Sequence, residues 1–250
     1  GAYGIDFAAF ERVIVKEKAR VFILCHPHNP TGRVWQEEEL ERIIDVCARH
    51  GVAIISDDIH SDLIMPGHRY TPIALVAKER GFDQVVTLKS ASKTFNLAGL
   101  QLGYYLSENA EIMRAIAAEK EYTTYPDLPN NFAIAAMTAA YQHGVPWLEQ
   151  VISYIHDNYL TLKDLIERKY PRAHLADLQG TYLTWLDVSY LEVTERELAE
   201  RLDAAGLGAE TTSQFGLGED AGLFIRMNIA CPKDTLAQGL EALERALDSL

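Results

Sequence analysis

Three short apolar runs, each followed directly by a cluster of polar residues, constrain the fold of this sequence more than any other feature. The runs cover residues 21–24, 52–56 and 85–88, and residues 100–106 are predicted to form one more strand. Residues 37–50 separate the first two runs, and their apolar positions recur at the spacing of one helix face. Strands that alternate with helices are typical of a parallel sheet covered by helices. The sequence therefore predicts an α/β fold with a mostly parallel sheet flanked by helices.

The second half of the sequence has a different pattern, in which helices come before strands. Two helices and then two strands are predicted, over residues 129–142, 147–169, 182–188 and 223–229. The capping box of Thr194 and Glu197 begins a further helix, and a last amphipathic helix begins at Asp234. We therefore interpret residues 1–147 as part of a larger domain and residues 148–250 as a smaller α+β domain.

The charge and the cysteine content argue against several classes of protein. The formal net charge is −13 and the pI about 5.0, and so acidic a surface argues against nucleic acid or an anionic membrane as a partner. No apolar stretch approaches the roughly 18–20 residues of a membrane-spanning helix. Cys25, Cys47 and Cys231 include no C-x-x-C pair, so neither a disulfide framework nor a cysteine zinc site is indicated. We expect a cytoplasmic protein.

Each polar cluster follows the carboxyl end of a predicted strand. The clusters are Asn29-Pro30-Thr31-Gly32, Asp57-Asp58-Ile59-His60 and Ser90-Ala91-Ser92-Lys93. Open α/β sheets bind their ligands in the crevice at the carboxyl ends of the strands. We therefore expect these clusters to lie close together and to form one ligand site.

The order and spacing of these three clusters resemble those of fold-type I pyridoxal-phosphate enzymes in the class I/II aminotransferase group. Within that group, residues 28–35 (His-Asn-Pro-Thr-Gly-Arg-Val-Trp) and 57–60 resemble the cystathionine β-lyase, or carbon–sulfur lyase, branch. The resemblance covers the chain from about residue 20 to its C-terminus. It implies a fold-type I large domain with a smaller domain, pyridoxal 5′-phosphate as the cofactor, a small amino acid as the substrate and a homodimer as the complete enzyme.

The resemblance assigns the covalent chemistry to Lys93. This residue matches the lysine that forms a Schiff base with the cofactor aldehyde, a reaction that needs a neutral amine. Lys89, four residues earlier, is the only nearby rival, and its position in the motif argues against it.

Five further residues match positions that hold the cofactor in the group. Asp57 matches the carboxylate that keeps the pyridine nitrogen protonated, without which the ring is a poor electron acceptor. Asn29 matches the asparagine that hydrogen-bonds the ring hydroxyl, and it is expected to contact the substrate as well. His60 stands where typical aminotransferases carry a tyrosine. Ser90 and Ser92 match hydroxyls that bind the phosphate.

Arg226 lies in a predicted strand among apolar neighbours, where a guanidinium needs an anionic partner. The resemblance implies that it binds the substrate α-carboxylate through two parallel hydrogen bonds. A surface arginine on an edge strand is the alternative, because the alternation of side chains along a strand permits it.

Many relatives carry a phosphate-binding arginine eight residues after the lysine, and that position is Gln101 here. This departure fits the lyase branch better than the typical aminotransferases.

These matches imply a carbon–sulfur β-lyase, which converts cystathionine or another S-substituted cysteine into a thiol, pyruvate and ammonia by α,β-elimination. An amino-acid aminotransferase that uses the same residues is the nearest alternative, and Trp35, His60 and Gln101 favour the lyase. An alternative of another class is a non-catalytic binding module that retains the fold. The presence of Lys93, Asp57 and Arg226 together argues against that module.

Two other features of the sequence bear on the site. His26 and His28, together with Asp57 and His60, could imitate a metal site, but the prolines around the first pair favour a turn, and we expect no metal. Members of the group also carry a sizeable N-terminal part with a phosphate-binding loop and an aromatic residue that stacks on the cofactor. None of these is found before Asn29, so we expect an N-terminal portion to be missing and the chain by itself to be inactive.

Overall fold

The computed structural model describes residues 3–123, 129–216, 218 and 221–249 of the chain. The helices are α1 Phe7–Glu17, α2 Glu37–His50, α3 Ile73–Glu79, α4 Ala91–Thr94, α5 Ala110–Thr123, α6 Asn131–His143, α7 Val145–Lys169, α8 Glu195–Ala204 and α9 Lys233–Asp248. The strands are β1 Val21–Cys25, β2 Ala53–Asp57, β3 Val85–Lys89, β4 Tyr104–Leu106, β5 His174–Leu175, β6 Leu183–Asp187, β7 Glu210–Thr211 and β8 Phe224–Asn228. Short 3-10 turns cover Ala98–Leu100 and Thr212–Phe215.

The first four strands form one sheet in chain order, β1-β2-β3-β4. β1, β2 and β3 run parallel, and β4 is antiparallel to β3. Cys25 pairs in register with Asp57, and Asp57 pairs with Leu88, so the three parallel strands end side by side. The prediction of a mostly parallel sheet flanked by helices is confirmed, and the register explains why the polar clusters meet at one edge.

Helix α2 shows why the pattern of residues 37–50 produced a correct prediction. The Glu39 side chain accepts a hydrogen bond from the Gln36 backbone at 2.8 Å, which stabilises the first turn, and Gly51 ends the helix in the left-handed conformation. Its buried face packs in the core beneath the first sheet and consists of Leu40, Ile43, Ile44, Val46 and Cys47. Burial of each large apolar side chain contributes roughly 1.5–3 kcal/mol.

The other four strands form an antiparallel sheet with the order β5-β6-β8-β7. A second core packs on this sheet and draws side chains from α7, α8 and α9, including Leu162, Leu198 and Leu243. Helix α7 begins at Val145, a few residues before the predicted start of the smaller domain at residue 148.

One strand is shorter than predicted. Residues 100–106 were expected to be extended, but only Tyr104–Leu106 forms a strand. The preceding residues form the 3-10 turn Ala98–Leu100, and Gln101 follows it with a φ of 53°. A residue with positive φ cannot continue a β-strand, so the prediction is wrong for the first part of this segment.

A short crossing segment, residues 178–181, joins the second sheet to the turn after β1. Gln179 and Gly180 donate backbone hydrogen bonds to the Gly32 carbonyl at 3.0 Å, and Thr181 donates to the Leu63 carbonyl at 2.9 Å. A Cβ at Gly180 would lie 2.9 Å from the Pro27 ring, so this close approach requires glycine. Among the described residues, no helix combines the length and apolar character needed to span a membrane.

Replacing Leu162 with alanine is expected to lower the free energy of unfolding by about 2–5 kcal/mol, because this side chain is fully buried and its truncation leaves a cavity. Leu160 lies on the same helix but is 47% exposed, so Leu160→Ala is the matched control, with an expected loss below about 0.5 kcal/mol. Urea unfolding followed by circular dichroism measures both variants. Equal losses would contradict the described orientation of α7.

Candidate active site

A cavity of about 370 Å³ opens between the two sheets and brings together four of the predicted site residues. Its lining consists of Asn29, His60, Lys93, Tyr182, Leu183, Gly208, Glu210, Arg226 and Asn228. Asp57, Ser90 and Ser92 are not in this lining, although each lies within three positions in the chain of His60 or Lys93, which are. The structure thus joins residues that lie almost 200 positions apart, with an Asn29–Arg226 hydrogen bond between the sheets.

Arg226 is fixed in the interior of the second sheet. Strand β8 lies between β6 and β7, so the alternative of an edge-strand arginine is wrong. The Arg226 Nη1 donates to the Asn29 Oδ1 at 3.0 Å, Nη2 forms an ion pair with Glu210, and the guanidinium lies 4.9 Å from the centre of the Phe215 ring. Desolvation by burial lowers the pKa of Arg226.

The two neighbouring lysines have different surroundings. The Lys89 Nζ lies 3.3 Å from the Asp62 Oδ1 and forms an ion pair with it. Lys93 is half-buried on the short helix α4 and lines the cavity. Asp62 also holds that helix, because its Oδ2 accepts a hydrogen bond from Thr94 Oγ1 at 2.9 Å. Lys93 thus lines the cavity while Lys89 is engaged with Asp62, and the role of Lys93 as the reactive lysine stays a prediction.

His60 lies in the cavity wall with 4% of its surface exposed. Burial, followed by the positive charges of Lys93 and Arg226, lowers the pKa of His60 to about 4, so its ring is neutral at physiological pH. Its Nδ1 atom is buried and has no hydrogen-bond partner within the described part of the chain. The Tyr182 ring packs edge-on against it, with ring centres 5.5 Å apart. A buried, unpartnered ring nitrogen at a cavity wall can serve a bound ligand.

The two aspartates at the end of β2 point into different environments. Asp57 is half-buried, and its Oδ1 lies 3.3 Å from the Ile59 backbone nitrogen. Asp58 is buried, and it accepts hydrogen bonds from Ser56 Oγ at 2.5 Å and from the Tyr70 hydroxyl. Burial raises the pKa of Asp58 to about 6. Asp58 is therefore held by hydrogen bonds in the interior, whereas Asp57 lies at the edge of the sheet where the polar clusters meet.

The two predicted phosphate-binding serines begin α4. The Ser90 Oγ donates to the Leu102 carbonyl at 2.6 Å and accepts from the Ser92 backbone nitrogen at 3.0 Å. Ser90 therefore caps the helix that carries Lys93. Ser92 is half-buried, and Gln101 is exposed. The role of the serines toward a phosphate stays a prediction.

Four residues that contribute to the site were missed by the sequence reasoning: Tyr182, Glu210, Asp62 and Tyr70. Tyr182 and Glu210 line the cavity, Asp62 anchors the Lys93 helix, and Tyr70 donates to Asp58. The one available signal concerned Asp62, which lies two positions after His60 in the same loop. Nothing local marked Glu210, because it reaches the site only through its pairing with β8.

The histidine pair before the first cluster has structural partners. The His26 Nε2 lies 3.0 Å from the Thr71 carbonyl oxygen, and the His28 Nδ1 lies 2.8 Å from Thr31 Oγ1. Within the part of the chain that the structure describes, no group of three or more His, Cys, Asp or Glu side chains is arranged to hold a metal ion.

Nearly the whole chain matches a known family, and the curated proteins that it resembles include two bacterial relatives. The profile of the family described as aminotransferase class I and II matches residues 2–243. The chain is 36% identical to cystathionine beta-lyase PatB of Bacillus subtilis (strain 168), covering 99% of this chain and 63% of that protein. It is 33% identical to protein MalY of Escherichia coli (strain K12), covering 97% of this chain and 61% of MalY. The chain thus spans about three fifths of the length of these relatives.

A solved structure gives the same picture for the fold. The chain superposes on the pyridoxal-phosphate-bound C-S lyase from Staphylococcus hominis with a TM-score of 0.88 and 31% identity. The match covers 98% of this chain and 61% of that one. This likeness confirms the predicted fold-type I class and the resemblance to the carbon–sulfur lyase branch.

Replacing Asp58 with asparagine is expected to stabilise the folded protein more at pH 7 than at pH 4. The pKa of Asp58 is about 6 in the folded state and 3.8 in a free side chain, so the folded state binds more protons between these values and loses stability as pH rises. The asparagine of the variant does not titrate. Between pH 4 and pH 7, the difference in unfolding free energy between variant and wild type should therefore change by about 2 kcal/mol in favour of the variant.

Urea unfolding at pH 4, 5, 6 and 7 measures this difference. The exposed Asp157 supplies the control, since Asp157→Asn removes the same charge without relieving burial. A stability difference for Asp58→Asn that follows the control at every pH would contradict the raised pKa.

Proposed function

Because the chain belongs to the aminotransferase class I and II family, we propose that the complete protein is a pyridoxal-phosphate-dependent carbon–sulfur β-lyase. Its substrate is cystathionine or another S-substituted cysteine, and its products are a thiol, pyruvate and ammonia. The observation that carries this proposal is the cavity lined both by Lys93, on the helix after β3, and by Arg226, in the second sheet. A cation that binds the carboxylate of an amino acid and an amine that can act on the adjacent carbon are the two groups that this chemistry needs first.

The residues around the cavity fit the cofactor. Lys93 would hold it covalently, Asp57 would pair with its ring nitrogen, and Asn29 would contact its ring hydroxyl. Ser90 and Ser92 would contact its phosphate. When bound, pyridoxal phosphate supplies an electron-accepting ring that stabilises negative charge on the substrate Cα.

His60 completes this fit, because it is neutral and its Nδ1 has no partner among the described residues. A neutral ring at this place can accept or donate one hydrogen bond without adding a third positive charge beside Lys93 and Arg226. It also leaves Arg226 as the cation that faces an incoming carboxylate. The edge-on packing of Tyr182 keeps the His60 ring in one orientation.

The chemical roles of the chain follow from these positions. Arg226 binds the α-carboxylate and orients the substrate, so that the Cα proton faces Lys93. Once the amino group of the substrate has displaced Lys93 from the cofactor, the freed Lys93 amine would take up that proton and the thiolate would leave from Cβ. Lys89 takes no part, because its ammonium is paired with Asp62. Asp62 keeps α4 in place through Thr94 and thereby sets the position of Lys93.

We also propose the division into a larger domain, residues 1–147, and a smaller one, residues 148–250. The two separate cores beneath the two sheets support this division.

A homodimer is supported by exposed apolar side chains on α5 and α6, such as Tyr122 at 92% and Phe132 at 80% exposure. A cytoplasmic location is supported by the free thiol of Cys231, which a reducing compartment preserves.

Replacing Lys93 with alanine in the complete protein is expected to abolish covalent attachment of the cofactor, because Lys93 is the one lysine in the cavity lining that the described residues form. Lys89→Ala is the matched control and should retain attachment, since Lys89 is engaged with Asp62. Borohydride reduction followed by peptide mass mapping locates the modified lysine. Modification at Lys89 in the wild type would overturn the assignment.

The complete protein is expected to release pyruvate from cystathionine at least about tenfold faster than it transfers an amino group from alanine or aspartate. Both reactions begin with loss of the Cα proton, but only a substrate with a leaving group on Cβ can eliminate. A barrier difference of about 1.4 kcal/mol is enough for a tenfold preference.

Coupled assays of pyruvate and of keto-acid formation, at one enzyme concentration, measure this partition. Omission of the keto-acid acceptor is the control, since elimination does not need one and amino transfer does. Amino transfer that is faster by tenfold would replace the lyase with the aminotransferase alternative.

A further inference from the structure

Glu210 and Arg226 face each other across two paired strands. Strand β7 runs antiparallel to β8, and its register pairs Glu210 directly with Arg226. The two side chains form an ion pair through the Arg226 Nη2 and the Glu210 Oε2. Both residues line the cavity that also contains Lys93. The carboxylate of Glu210 therefore lies inside the candidate site and is paired with Arg226, the cation expected to bind the substrate.

Both terminal nitrogens of Arg226 are engaged with side chains of the chain itself. Nη1 donates to Asn29 Oδ1 at 3.0 Å, and Nη2 is paired with Glu210. A carboxylate binds an arginine best through two parallel hydrogen bonds. An incoming substrate carboxylate therefore competes with these two partners for the N–H groups of the guanidinium.

Glu210 is the partner that gives way more easily. Its side chain is 43% exposed, whereas that of Arg226 is 19% exposed, so Glu210 can turn toward solvent at little desolvation cost. Arg226 cannot follow it, because β8 is an internal strand and the Phe215 ring lies against the guanidinium. The backbone that carries Glu210 is anchored as well, since Thr211 Oγ1 donates to Glu195 at 2.9 Å. The motion is thus confined to one side chain.

We propose that Glu210 is a built-in competitor for the carboxylate of the substrate and thereby determines how tightly the site binds carboxylates. It keeps the half-buried Arg226 paired while the site is empty and is displaced when an amino acid enters. It returns to Arg226 as the carboxylate of the product leaves, which favours release. This inference rests on the proposed function in one respect, the binding of the substrate carboxylate by Arg226.

The test measures carboxylate binding without catalysis. The probe is 3-(methylthio)propionate, which has a carboxylate and a thioether but no amino group and so cannot react with the cofactor. Isothermal titration calorimetry on the complete, cofactor-loaded protein gives its Kd. Glu210→Gln is expected to bind the probe about fivefold more tightly than the wild type, because the competing charge is gone.

Three further variants make the result decisive. Glu200→Gln, on the exposed face of α8, removes one negative charge away from the cavity and should leave Kd unchanged. Glu210→Ala is a second route to the same effect should Glu210→Gln fail to fold, as judged by circular dichroism. Arg226→Gln should weaken binding at least about tenfold.

The outcomes separate this inference from the proposed function. Unchanged or weaker binding in the Glu210 variants, together with weak binding in Arg226→Gln, overturns the role of Glu210 and leaves the carboxylate site in place. Unchanged binding in Arg226→Gln overturns the carboxylate site itself. Tighter binding in the Glu210 variants alone, with the Glu200 control unchanged, supports the competitor.

Discussion

The crossing of residues 178–181 over the turn after β1 is the contact on which the candidate site depends. Gly32 accepts two backbone hydrogen bonds from this segment, and Gly180 approaches Pro27 too closely for any side chain. The segment leads directly into Tyr182 and β6, which carries β8 and Arg226 beside it. The hydrogen bond from Arg226 to Asn29 therefore follows from a backbone crossing that is fixed independently of either side chain.

The electrostatics of the cavity follow from the same arrangement. Lys93 lies on helix α4, which follows β3, and Arg226 lies in the second sheet; the positive charges of both help to keep His60 neutral. Glu210 enters from the short strand beside Arg226 and offsets one of the two cations. An acidic chain thus contains a local cavity suited to an anion, which its overall charge of −13 could not indicate.

The sequence was informative wherever a residue acts through its neighbours in the chain. The apolar runs predicted β1, β2 and β3, and the motif around Lys93 singled out the lysine that lines the cavity. The strand prediction was wrong at Gln101, because its apolar neighbours on both sides are typical of a strand whereas Gln101 itself adopts a turn with positive φ. Glu210 could not be predicted at all, since its role depends on the register of a two-residue strand against a distant one. Such pairing is a property of tertiary structure alone.

The two lysines of β3 and α4 show how tertiary contacts distinguish residues that lie close together in one motif. Lys89 and Lys93 lie only four positions apart, and composition alone does not distinguish them. Asp62 does so twice, because one of its oxygens pairs with Lys89 and the other holds Thr94, the residue after Lys93. The Asp62 carboxylate thus pairs with the Lys89 amine and holds the helix that carries Lys93. If Lys93 is the reactive lysine, as we propose, its difference from Lys89 arises from the partners of the two residues rather than from the amines themselves.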